Sequence, residues 1–81
     1  MTPQQQAETI ELQRQVHAYV DNLIVAGMEP NVVVTAILLA ATERVLRAST
    51  PTQTAAWLRG QALNVERFGA EMKAAFDRGA G

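Results

Sequence analysis

Cysteine is absent from this 81-residue chain, so neither a disulfide nor a thiolate metal site can form. Positive charge is not in excess: seven lysines and arginines face eight acidic side chains. A free-standing nucleic-acid binder usually shows a marked basic surplus, so nucleic acid is not the expected partner. Histidine occurs once, at His17, with Asp21 one helical turn later. Two candidate ligands are too few for a structural metal site, and the pair reads as a solvated surface contact. No glycine-rich phosphate loop is present, and no serine or threonine has a histidine nearby in sequence to activate it. The acids Glu66, Glu71 and Asp77 are spaced as ordinary helix-surface residues. Arg67 with Glu71, and Lys73 with Asp77, stand four apart and read as solvent ion pairs. The expectation is a protein that is not an enzyme, with no catalytic residue, cofactor or metal.

Long hydrophobic runs are also missing. The longest, Val32 to Ala41, is interrupted by Thr35 and is about half the roughly 20 residues a membrane span needs. Residues 1–6 lack both a basic and an apolar region, so they do not read as a signal peptide. The cytoplasm is the expected location. Six arginines against one lysine, with abundant alanine, hint at a bacterial or phage origin.

What the chain does have is apolar content, 48% against 19% charged, which is a globular composition. Its length makes one small domain, 1–81, with a modest core. Three segments carry helical periodicity. Thr2-Pro3-Gln4-Gln5 and Thr50-Pro51-Thr52-Gln53 share a T-P-x-Q pattern. Threonine caps the helix, proline takes the first position where its missing amide costs nothing, and glutamine reaches back to close a capping box.

The first helix is predicted over about 3–26. Leu12, Val16, Tyr19, Leu23 and Ala26 form its apolar stripe, widened by Val20 and Ile24. Gly27 supplies a left-handed terminus, with Met28 folding back on Leu23. The second helix is predicted over 30–47, with Glu29 as a mediocre cap and Met28 and Val33 as a hydrophobic staple. Val32-Val33-Val34 favours a strand locally, but Ala36, Leu38, Leu39, Ala40 and Ala41 are good helix formers and no turn signal follows. Wound as a helix, this segment is apolar nearly all round and should be covered on most sides.

The third helix is predicted over 51–76, followed by a fraying tail at 78–81. Ala55, Leu58, Ala62, Val65, Gly69, Met72 and Phe76 alternate spacings of three and four, a heptad-like seam. Trp57, Gln61, Phe68 and Ala75 broaden it. Gly69 lies on the seam, where a missing side chain permits close approach; Gly60 lies off it and could mark a bend.

The predicted fold class is therefore all-α: three amphipathic helices, up-down-up, paired into a homodimeric helical bundle. At 1.5 Å per residue the outer helices are roughly 35–40 Å long and the middle one roughly 27 Å. A shorter middle helix leaves the end of the third uncovered, and a large apolar surface is more often an interface than bare. The expected partner is a second copy of the chain, the commonest assembly, with another protein as the remaining option and no membrane. The expected interface residues are Leu38, Leu39, Trp57, Val65, Phe68, Gly69, Met72 and Phe76. The expected function is a small non-enzymatic protein–protein interaction and assembly module, and the alternative is a helix-turn-helix DNA-binding regulator. Arg44, Arg47 and Arg59 would form its basic patch and 48–51 its turn, although residues 52–57 offer few groups for base edges.

Overall fold

A computed structural model describes residues 1–80. The chain is all-helical: α1 is Pro3–Val25, α2 is Pro30–Ala48 and α3 is Pro51–Ala80. The predicted starts hold at all three helices. At α1 the Gln5 amide donates to Thr2 Oγ1 at 3.1 Å, and the Thr2 amide donates to Gln5 Oε1 at 2.9 Å. The same reciprocal bonds close at α3, between the Gln53 amide and Thr50 Oγ1 at 3.1 Å and between the Thr50 amide and Gln53 Oε1 at 3.2 Å. Each box satisfies amides that the first helical turn leaves without a partner. Glu29 caps α2 through its carboxylate, which accepts from the Val32 amide at 3.2 Å.

The end of α1 follows from Gly27. Its φ of +105° lies in the region that favours glycine. That geometry lets the Met28 amide donate to the Leu23 carbonyl and the Gly27 amide to the Ile24 carbonyl, each at 3.0 Å, the paired closure of a Schellman motif. The end of α3 differs from expectation. The helix continues beyond Phe76 through Arg78 to Ala80, where the sequence pointed to fraying; Gly81 lies outside the described residues. Ala74 and Ala75 carry high helix propensity into this stretch, and Arg78 suits the negative helix end. α3 also runs unbroken through Gly60 and Gly69.

Two compact units divide the chain, Met1–Ala41 and Thr42–Gly81, with the division inside α2. In the first, Tyr19 and Leu23 from α1 share a groove with Met28, Val33, Ile37 and Ala40. Val33 is its buried centre at 3% exposure, while Val20, Leu23 and Ile37 are half-buried. Met28 and Val33 thus line one groove, as the staple requires. In the second unit Val45, Ala55 and Leu58 are half-buried and Thr54 is buried.

Within the single chain the apolar run of α2 is not covered on most sides: Val32, Val34, Leu38 and Leu39 are exposed. The reason is geometric. One helix packed on another hides a single stripe, and an all-apolar helix has more stripes than one neighbour can hide.

Candidate functional site

The α2–α3 junction is built by a short polar chain. Ser49 Oγ donates to the Val45 carbonyl at 2.7 Å and lies 3.1 Å from Thr54 Oγ1, which in turn donates to the Thr50 carbonyl at 2.9 Å. Thr54 is 5% exposed, and its single hydroxyl proton goes to the Thr50 carbonyl. A buried hydroxyl costs free energy unless it is bonded, so the network stabilises the turn. Sequence reasoning placed Thr54 among the first residues of α3 and gave it no role in the turn. The usable signal was its spacing of four from Thr50, which allows a hydroxyl to reach back to the carbonyl one turn earlier.

This geometry bears on the DNA-reading alternative. A recognition helix needs polar groups free near its start, and Thr54 is committed inward. Arg44, Arg47 and Arg59 all stand exposed in the second unit. Among the described residues the ion pair is Arg14 with Glu11, at 3.8 Å. The expected pairs Arg67–Glu71 and Lys73–Asp77 do not close. Long exposed side chains lose about as much rotamer freedom as a surface ion pair returns, so open pairs are unsurprising.

His17 lies in a shallow groove on α1 with Thr9, Leu12, Gln13 and Val16. Among the described residues no three histidines or acids come together as a metal site would need. No helix among them is long and apolar enough to cross a membrane.

The eight expected interface residues fall in both units. Leu38 and Leu39 belong to the first and are exposed; Trp57 lies near the start of α3 and is 38% exposed. The later half of α3 carries the main feature. Val65, Phe68, Met72 and Phe76 are 61%, 50%, 55% and 57% exposed. At 100° per residue Val65, Gly69, Met72 and Phe76 fall within one narrow sector, with Phe68 at its flank. Gly69 is half-buried, and a Cβ built there would meet only Val65 Cγ1, at 3.5 Å, an ordinary contact. Among the described residues no neighbouring backbone comes close enough to account for the glycine.

Together these residues offer an apolar ridge with a notch at Gly69. An apolar ridge of this kind suits packing against another apolar surface. No protein-family model, curated protein or solved structure matches this chain.

Proposed function

We propose that this chain is a small non-enzymatic interaction and assembly module that works as a homodimer. Two copies pair the exposed stripes of α2 and of the later half of α3. In this reading the helices run up-down-up and the pair completes one helical bundle. The observation that carries it is the exposed row Val65, Phe68, Met72 and Phe76 in a chain whose two units keep only Val33 and Thr54 buried among the described residues. Units of about 40 residues usually need a disulfide, a metal or association to be stable. Cysteine is absent, and association is the remedy that uses the surface the chain presents. Large apolar side chains contribute roughly 1.5–3 kcal/mol each on full burial, so covering half-exposed ones on two protomers is a substantial gain.

Sedimentation equilibrium tests the proposal. The expected species is twice 8.8 kDa at micromolar concentration. Gly69→Leu should weaken it, because overpacking a close contact typically costs about 1–3 kcal/mol. A clean monomer would overturn the proposal.

A further inference from the structure

We infer that the second copy pairs with α3 in antiparallel orientation, in the one register that sets Glu66 against the partner's Lys73. The inference rests on the homodimer proposed above and names how its two ridges meet. It starts from the seam. With Val65, Gly69, Met72 and Phe76 at the centre, one flank of α3 carries Arg59, Glu66 and Lys73 at seven-residue spacing. Their charges run plus, minus, plus. Residues at this flank approach their own counterparts when two such helices pack antiparallel, and lie across from the opposite flank when they pack parallel.

Charge then selects the register. Aligned so that Gly69 faces the partner's Met72, the two copies bring Glu66 to the partner's Lys73, twice, by symmetry. A shift of one heptad in one direction opposes Glu66 to its own copy and Arg59 to the partner's Lys73. The shift the other way opposes Lys73 to its own copy. A parallel pairing sets Lys73 across from the partner's Phe68 and Glu66 across from the partner's Gln61, with no charge matched. Neither Glu66 nor Lys73 enters an ion pair among the described residues, so both are available.

Shape selects the same register. Gly69 opposite the partner's Met72, Val65 opposite the partner's Phe76 and Phe68 opposite the partner's Ala75 each join a smaller residue to a larger one. Alternation of this kind fills an interface without strain. The parallel pairing would instead set Gly69 against Gly69 and Phe76 against Phe76, a void and a crowd.

The chain is suited to a direct test, because Lys73 is its single lysine and cysteine is absent. Carbodiimide joins a carboxylate to an amine only where the two touch. Applied to a mixture of isotopically light and heavy full-length protein, it should give an inter-copy amide between Lys73 and Glu66, read by mass spectrometry of the dimer band. Glu66→Lys should weaken the dimer about tenfold at low salt, and adding Lys73→Glu to the same chain should restore it. A dimer in which Lys73 couples to other carboxylates and not to Glu66, or which ignores the charge reversal, overturns this register and leaves the homodimer standing. A monomeric parent protein overturns the homodimer and the register with it.

Discussion

The beginning and the end of α3 carry the same seam and meet different surroundings. Near the start, Ala55 and Leu58 are half-buried beside the buried Thr54, and the end of α2 in the same unit contributes Val45. From Val65 to Phe76 the same spacing continues and every large apolar side chain is more than half open or at the half-way mark. Periodicity is a property of one helix; burial is a property of two. Within the second unit, cover stops partway along α3 while the pattern that calls for cover goes on. The glycines also differ in meaning: Gly27 serves a positive φ, whereas Gly69 sits in a regular helix where only its lack of a side chain can matter.

The largest break of this comparison is Phe76→Asp. In the dimer the carboxylate would lose its water without gaining a cation, and the ring's packing would go with it. Large-to-small aromatic changes in cores cost about 3–5 kcal/mol, and an unpaired buried charge adds to that. The dimer should dissociate by more than about a hundredfold in Kd. The variant's helical circular dichroism should match that of the parent protein diluted until it dissociates, since Phe76 is 57% exposed in the single chain. A variant that still sediments as a dimer would place the interface elsewhere.

A smaller break acts on the first unit. Val33→Ala removes methyl groups from its one buried residue and should cost about 1–3 kcal/mol, mostly as a cavity. The signature differs from that of Phe76→Asp. Unfolding should shift at every protein concentration alike, because Val33 packs within its own unit. A loss that disappears on dilution would show that Val33 also serves the association.

Much of this fold was legible in the sequence because its signals are local. The two T-P-x-Q boxes fix helix starts through four consecutive residues each, and Gly27 fixes the end of α1 through a single dihedral angle. The Val32-Val33-Val34 triplet was the point of conflict, and helix won because the alanines and leucines that follow extend the same segment past the length of a strand. Less legible was the end of α3, where no capping residue stops the helix and the alanines carry it on to Ala80. Least legible was coverage. Leu38 and Ile37 look alike in sequence, yet one is exposed and the other half-buried, because that difference depends on which neighbour lies across from them. Thr54 gave no such signal for the complementary reason: its burial comes with Ser49 and the turn, and not from any apolar pattern.

The smallest effect, and the sharpest probe of the two ends of α3, is Gly69→Ala. In the isolated chain the new methyl meets only Val65 Cγ1, at 3.5 Å. Nothing opposes the gain in helix propensity, about 1 kcal/mol for glycine to alanine in a helix interior. Dilute protein should therefore be stabilised. If two copies meet there as proposed, at high concentration the methyl would enter the notch between two helices and displace the partner side chain seated there. The gain should shrink or reverse, and thermal unfolding followed across a concentration series should show the two curves crossing. Gly60→Ala is the internal control. It lies off the seam, its added Cβ meets nothing within 4 Å, and its stabilisation should not depend on concentration. If Gly69→Ala behaves as Gly60→Ala does at every concentration, the notch has no occupant, and the later half of α3 is not where the two copies meet.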